Sequence, residues 1–369
     1  MLFKFKRYCR SRLCIIYILF FFILYLIFNK YFIYSPSSMY FIELNSCPAC
    51  FGVRLCHLFG TDRVQLTGWQ RFSLFNNDLF NVKNIYYGTM NKNRVVFKKM
   101  AHQSEWVIFD DCQQKASCFH RSTASFITLL PCSNMTFISK FTNAFLQSTD
   151  LDRHDSEISL GTTIQINLEP IVLSGLSGVG FPFPSYYGAC GRVGVVSDEG
   201  SNFVSYLHSP FQFRAYLARE LLISMHQLTV GNAEMIIYYP DVNLENFVYN
   251  ENERRVKIID LEYLIIVERE LFSQVNHNDE NIQNQRHPNK FCNIYMPDFN
   301  IEQVCRYVLS PSIETTGKEM SSDFLHDIPE DFGVKLNLSQ TIMTCAQTES
   351  KEERMAMYEK LLEILNKFL

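Results

Sequence analysis

With 369 residues, 47% of them apolar, the chain can bury one large core or two lobes, and an aromatic content of 14%, with 32 Phe, excludes a disordered or low-complexity protein. The formal net charge of −4 excludes the strong basic field of a nucleic-acid binder. The charge is unevenly placed: residues 1–12 carry five Lys or Arg and no acid, whereas residues 31–369 carry 28 Lys or Arg against 38 Asp or Glu.

Behind the basic tail, Leu13 to Phe28 is an unbroken run of 16 apolar residues, and Tyr31 to Tyr34 resumes it after Asn29 and Lys30. A bilayer span needs about 20 such residues, and snorkelling of Lys30 stretches the run toward that length. Residues 13–34 therefore read as a signal-anchor transmembrane helix with a cytosolic basic tail (1–12) and a lumenal remainder. A cleaved signal peptide competes with this reading, although no small-x-small cleavage site follows soon after Phe28. Both readings place residues 35–369 in the secretory pathway, either anchored in the endoplasmic reticulum or Golgi or, after cleavage, secreted. The sequons Asn134-Met135-Thr136 and Asn337-Leu338-Ser339 agree and predict a glycoprotein. Beyond Cys9 and Cys14, ten cysteines remain. An even number in an oxidising compartment reads as a set of structural disulfides. Cys47-Pro48-Ala49-Cys50 has a second reading, as a redox dithiol or half a zinc site, but no second pair of similar spacing completes a zinc site.

Residues 35–60 form a Cys-rich collar. Residues 79–99 read as a β-hairpin, Val82 to Met90 and Arg94 to Lys99, turning at Asn91-Lys92-Asn93. A helix follows from Ala101, with Trp106 and Phe109 on one face. Residues 110–163 read as a polar insertion or disulfide-held subdomain. Ile171 to Leu173 and Gly191 to Val196 read as strands. Ser209-Pro210 opens a helix whose apolar face is Phe213, Leu217, Leu221, Met225 and Leu228, with Ser209 as the expected cap. Ile236 to Tyr239, Phe247 to Tyr249 and Val256 to Ile259 are short strands, and residues 274–300 are polar and turn-rich. Ser350 and Glu353 form a capping box for a final helix that presents Met357, Leu361, Ile364, Leu365 and Phe368. The order predicts an α+β protein of two lobes, 61–198 and 199–369.

The chemistry concentrates after Tyr239-Pro240. Asp241 is followed five residues later by Asn246, then by a short strand, a polar turn, a second strand and Asp260. Such a hairpin gathers Asp241, Asn246 and Asp260 at one end. Phosphoryl transfer needs that grouping: one carboxylate orients the hydroxyl nucleophile, while an amide and a second carboxylate hold a divalent metal on the phosphates. Upstream, Arg94-Val95-Val96-Phe97-Lys98 is a strand ending in the Lys that would grip the phosphates. Glu105, on the next helix, is its expected partner, with Asp110 and Asp111 as substitutes. Taken singly, each of these residues also reads as an ordinary strand-end, turn or helix-surface residue. Asp331-Phe332-Gly333 is a decoy, since no apolar strand precedes it.

Several stretches in order carry a resemblance: Cys47-Pro48-Ala49-Cys50-Phe51-Gly52, Leu79 to Asn84, Val95-Val96-Phe97-Lys98, Tyr187-Gly188-Ala189-Cys190-Gly191-Arg192, Asp241 to Phe247, Ile259-Asp260-Leu261-Glu262 and Leu325-His326-Asp327-Ile328-Pro329. Over roughly residues 45–369 the chain resembles the divergent protein kinase domain 2 family, deleted-in-autism-like proteins of the secretory pathway related to the family with sequence similarity sixty-nine. The resemblance implies a bilobal protein-kinase-like fold and ATP with Mg or Mn as cofactor. It makes Lys98 and Glu105 nucleotide-binding residues, Asp241 the catalytic aspartate, and Asn246 and Asp260 metal ligands. It also implies a protein or glycan hydroxyl as acceptor, or, for a catalytically inactive pseudokinase, a receptor-like protein partner. The chain departs from the general kinase pattern at four points. Tyr239-Pro240 precedes Asp241 where His-Arg is usual, Glu262 replaces the Gly of Asp-Phe-Gly, no Ala-Pro-Glu follows, and no Gly-x-Gly-x-x-Gly precedes Lys98, where Asn76-Asn77-Asp78 stands.

Overall fold

A computed structural model describes residues 17, 19–24, 36–67, 84–101, 103–114, 130, 134–270, 290–292, 294–311, 322–330 and 336–368. Most of the expected anchor, the Asn76-Asn77-Asp78 loop, Asp331-Phe332-Gly333 and the greater part of 274–300 lie outside them. Residues 17 and 19–24 are helical, and among the described residues no helix is long and apolar enough to cross a membrane.

The N-terminal part is built on an antiparallel sheet of five strands: β1 (Val64–Leu66), β2 (Ile85–Met90), β3 (Asn93–Lys99), β4 (Tyr186–Cys190) and β5 (Val193–Ser197), in spatial order β1-β2-β3-β5-β4. Asn91 and Lys92 both take positive φ, 51° and 71°, which makes the β2–β3 connection a two-residue turn matched to strand twist. Alternation along β3 then sorts its side chains. Val95 and Phe97 are fully buried against the collar, while Val96 and Lys98 face the opposite side.

The collar is the other half of that small core. Phe41, Ile42, Leu55, Leu58 and Phe59 pack on Tyr86, Val95 and Phe97. Cys47 is bonded to Cys50, and Cys56 is bonded to Cys190 at the end of β4. The Gly-Ala-Cys-Gly-Arg stretch explains itself here. Gly191 has φ of +63° and lies so close to Ile42 that a Cβ would meet the Ile42 carbonyl oxygen at 1.9 Å. Arg192, 2% exposed, donates to Asp110 in a bidentate pair, to Glu43 at 3.3 Å and to the Ala49 carbonyl at 3.1 Å, and lies 3.8 Å over the Trp106 ring. One guanidinium thus ties the collar, the β4–β5 turn and helix α1 (Gln103–Gln114) together.

The described part of the segment expected to be a polar insertion contributes to the main core. Helix α2 (Met135–Thr149), N-capped by Asn134, drives Phe137, Phe141 and Phe145 into the main core, and α3 (Arg153–Ile166) follows, N-capped by Asp152. The expected strand Ile171 to Leu173 is instead helix α4 (Glu169–Gly175), with Pro170 in its first turn and all three apolar residues buried. A short apolar run buried on every side has no periodicity to separate helix from strand.

The C-terminal part is mainly helical. Helix α5 (Phe211–Val230) is capped at Pro210, and Ser209 does not act as the cap: its carbonyl accepts from Arg214 Nε at 3.1 Å instead. Further elements are β6 (Ser201–Asn202), β7 (Met235–Tyr238), β8 (Phe247–Asn250), β9 (Arg255–Ile258), β10 (Ile265–Glu268), α6 (Phe299–Val304), α7 (Leu338–Gln347) and α8 (Lys351–Asn366). β6, β8 and β9 form one small sheet, and β7 pairs with β10 in another. At α8, the Ser350 hydroxyl accepts from the Glu353 amide at 3.2 Å, while the Glu353 carboxylate turns to the Thr348 hydroxyl, so half of the expected capping box forms. Cys305 and Cys345 are disulfide-bonded, joining the segment after α6 to α7, and Cys292 is also in a disulfide. Arg354, buried with Asp298, pairs with it at the foot of α8.

Candidate active site

Strand β3 delivers Lys98 to the floor of a cleft, and the fold decides which acid meets it. Lys98 Nζ donates to both oxygens of Glu169, at 2.7 and 2.8 Å. Glu105, the partner expected from the sequence, lies on α1 with an exposed side chain. The correction has a topological cause. Among the described residues three further helices separate Glu105 from the next strand, and the last of them, α4, begins with Glu169 (1% exposed) against the inner face of β3. Burial works to strip Lys98 of its proton, but Glu169, Asp260 and Glu262 outweigh it and hold the ammonium above the ordinary lysine value.

The Asp241–Asn246 segment is held from several sides. Asn243 caps the turn Leu244–Asn246 by accepting from the Glu245 amide at 2.9 Å. Asn246, itself buried, donates through Nδ2 to the Asp241 carboxylate at 2.9 Å and to its carbonyl at 3.0 Å. The Ile259 amide donates to the Asn246 carbonyl at 2.9 Å, extending the β8–β9 ladder by one pair and bringing Asp260 to the same end. Asp260 has φ of 62°, the left-handed region that a residue other than glycine occupies at a cost of about 1–3 kcal/mol and that clusters at functional sites. Tyr239, standing where the kinase template has His, donates its hydroxyl to the Ile259 and Asp260 carbonyls at 3.1 and 3.3 Å. Burial, then the Asp241 and Asp260 charges, raises that phenol well above its ordinary value, so it stays a neutral donor. The fully buried Asn300 of α6 accepts from the Tyr239 amide at 2.9 Å and donates to the Ile237 carbonyl at 2.8 Å.

The cleft itself measures about 270 Å³ and is lined by Ile85, Val96, Lys98, Val196, Val248 and Ile259, with Ser197 to Asn202 along one edge. That edge is braced. Asp198 accepts from Arg94 Nε at 2.9 Å and from the Gly200 amide at 3.0 Å, and Glu199 takes hydrogen bonds from Ser197 and from Asn250 Nδ2. Apolar faces above and below a polar edge suit a flat base, and Lys98 at the inner end suits phosphate. The oxygen donors of Asn246 and Asp260 suit a hard cation such as Mg, which takes one or two protein ligands and completes its shell with phosphate oxygens and water. No group of three or more His, Cys, Asp or Glu able to hold a metal occurs among the described residues.

Sequence reasoning singled out Lys98, Asp241, Asn246 and Asp260: Lys98 lines the cleft, Asp260 acts on its charge, and Asn246 holds Asp241 at the end of the β8–β9 hairpin that leads into Asp260. It missed Glu169, Asn300 and the Ser197–Asn202 edge. An Asn-Leu-Glu-Pro helix start at 167–170, directly before a buried apolar run, was the available signal for Glu169.

Strand lysine, helix glutamate, Asp-x4-Asn turn and strand-end aspartate, in that order along the chain, follow the phosphoryl-transfer template of a protein-kinase-like domain. Comparison with known proteins narrows the class. The family described as the protein-kinase domain of FAM69 matches residues 162–348, a span that includes Glu169, Asp241, Asn246 and Asp260, with Lys98 upstream of it. The chain belongs to this family. Divergent protein kinase domain 2A of Homo sapiens is 27% identical over 381 residues, covering 88% of this chain and 87% of the relative. The proteins of the same name from Xenopus tropicalis and Mus musculus are each 26% identical, covering 88% and 87% of this chain.

Proposed function

We propose that this chain is a divergent kinase with the bilobal kinase fold, binding ATP with Mg or Mn in the cleft above Lys98 and transferring the γ-phosphoryl group to a protein or glycan hydroxyl. The observation that carries the reading is the closed Lys98–Glu169 ion pair at the inner end of a base-sized cleft, beside Asp260. Lys98 binds phosphate while Glu169 fixes its position. Asp241, held by Asn246, orients the acceptor hydroxyl and takes its proton. Asn246 and Asp260 hold the cation, which when bound neutralises charge on the phosphates. The disulfides Cys47–Cys50, Cys56–Cys190 and Cys305–Cys345, with Cys292 also bonded, support an oxidising, secretory-pathway location. The apolar run 13–34 supports a membrane anchor, and the exposed sequon residues Asn134 and Asn337 suit glycosylation.

A second reading, a pseudokinase that serves as a binding module for a receptor-like partner, is favoured by one feature: no Gly-x-Gly-x-x-Gly precedes Lys98, so the backbone approach that such a loop gives to phosphates is missing from the sequence. Release of ADP from ATP, with Mg or Mn and a mixture of secretory glycoproteins as acceptors, separates the two. The kinase reading expects turnover that Asp241→Asn lowers by about 100-fold or more. The absence of turnover in a folded, nucleotide-binding protein rejects it in favour of the pseudokinase.

A further inference from the structure

Glu262 occupies the position where the kinase template has the glycine of Asp-Phe-Gly, and its side chain has a definite partner. Its Oε2 accepts from Asn167 Nδ2 at 2.7 Å. Asn167 uses its other branch as well: Oδ1 accepts from the backbone amide of Glu169 at 2.8 Å. The backbone amide of Asn167 donates to the Thr163 carbonyl at 3.0 Å, which closes α3. Both ends of one side-chain amide are thus engaged, one by the residue that pairs with Lys98 and one by the segment that follows Asp260.

We propose that Asn167 and Glu262 form a strut that keeps Glu169 on Lys98, making both positioning residues for the phosphate end of the cleft. The inference rests on the nucleotide-binding reading above and adds a device to it. The segment after Asp260 turns through Leu261, fully buried, and the Leu264 amide reaches the Leu261 carbonyl at 3.4 Å. Glu262 is therefore carried on an anchored turn, and its grip on Asn167 fixes the first turn of α4 relative to Asp260. The same bond makes the two halves of the site interdependent. Movement of the Asp260 segment pulls on the start of α4, and displacement of α4 frees Glu262. Glycine at this position offers no side chain for such a link. The tether explains how a short helix of seven residues, Glu169–Gly175, keeps its first residue on Lys98.

The test compares Glu262→Gln with Glu262→Ala in the full chain. Gln keeps an oxygen that accepts from Asn167 Nδ2, whereas Ala removes it. Asn167→Ser is a third variant: its short hydroxyl can still accept from the Glu169 amide but cannot reach Glu262. Hydrogen exchange across 168–176 and 261–264 is measured without nucleotide, and Mg·ATP affinity is measured alongside. The strut predicts that Glu262→Ala and Asn167→Ser speed exchange in both segments by about tenfold and weaken Mg·ATP by about fivefold to tenfold, while Glu262→Gln stays within about twofold of the natural chain in both. Unchanged exchange in Glu262→Ala overturns the proposal. So does a Glu262→Gln variant that behaves like Glu262→Ala, since the carboxylate charge would then matter and the link would not. If the natural chain binds no Mg·ATP, the nucleotide reading fails, and the exchange comparison still decides the strut.

Discussion

Replacing Glu169 by Gln removes one negative charge from a buried pair and leaves the shape of the site intact. The side chains of Lys98 and Glu169 are 11% and 2% exposed, and both carboxylate oxygens lie within 2.8 Å of the ammonium. Breaking a buried pair by removing one partner costs about 3–5 kcal/mol, because the remaining charge stays desolvated. Here Asp260 and Glu262 also act on Lys98, and the substituted amide still accepts one hydrogen bond, so the expected cost falls below that range, at about 2–3 kcal/mol. Lys98→Met should cost more, about 3–5 kcal/mol, since it leaves Glu169 buried without its cation. The double variant should recover about 1–3 kcal/mol relative to the sum of the single changes. Denaturant unfolding in the oxidised state measures all four proteins. The pH dependence has a definite sign. Lys98 is raised in the folded state, so the contribution of the pair is complete below the ordinary lysine value and is lost as pH rises through the folded one. The Glu169→Gln deficit should therefore hold steady from about pH 8 to pH 9 and shrink only in stronger alkali. A Glu169→Gln protein as stable as the natural chain, or a double variant whose loss is the plain sum of the single ones, would refute the assignment of the pair.

Three further outcomes follow from the same geometry. Arg192→Ala should destabilise by about 2–4 kcal/mol in denaturant titrations, because it removes the hydrogen bonds to the Ala49 carbonyl, Glu43 and Asp110 and opens a cavity over Trp106, while Glu43 keeps its pair with Lys99; a loss under about 1 kcal/mol would show that the collar is not tied through this residue. Removing the Cys56–Cys190 bond, which spans a sequence separation of 134, should cost about 5 kcal/mol by chain entropy, against about 2 kcal/mol for Cys47–Cys50, so paired Cys→Ala variants should rank in that order. Burial, with the Asp260 and Glu169 charges, lifts Glu262 to about 7, so the folded state binds its proton more tightly than the unfolded chain does. Stability of the nucleotide-free protein should rise as pH falls from about 8 to about 6, and Glu262→Gln should flatten that slope; an equal slope in both proteins would contradict the cause given.

What could be read from the chain, and what could not, divides along physical lines. Local signals survived folding. The Asn91-Lys92 turn, the amphipathic pattern of α5, the Ser350 cap and the Asp241-x4-Asn246 turn are all set by residues within a few positions of one another. The failures are long-range. Lys98 meets Glu169 across 71 positions, and the Asn-Leu-Glu-Pro start at 167–170 marks a helix there but not that its first acid is carried to the strand lysine. Ile171 to Leu173 looked like a strand because burial on all sides erases helical periodicity, and α2 looked like an insertion because its three phenylalanines sit among polar neighbours. Two departures from the kinase pattern became intelligible only in three dimensions. Tyr239 reaches the carbonyl of Asp260 with its hydroxyl, and Glu262 finds Asn167. Met296-Pro297-Asp298, followed by α6, has no Ala-Pro-Glu in its sequence, yet it places a buried acid on Arg354.

Nucleotide-dependent thermal stabilisation of the folded, oxidised protein tests the central claim most directly, with ATP, with and without Mg or Mn, beside Asp260→Ala. Binding in the cleft above Lys98 predicts a metal-dependent shift that corresponds to about 2.7 kcal/mol at 100 times the dissociation constant and is lost in Asp260→Ala. A melting temperature of the natural chain unmoved by nucleotide and metal, or a shift that survives in Asp260→Ala, would contradict it.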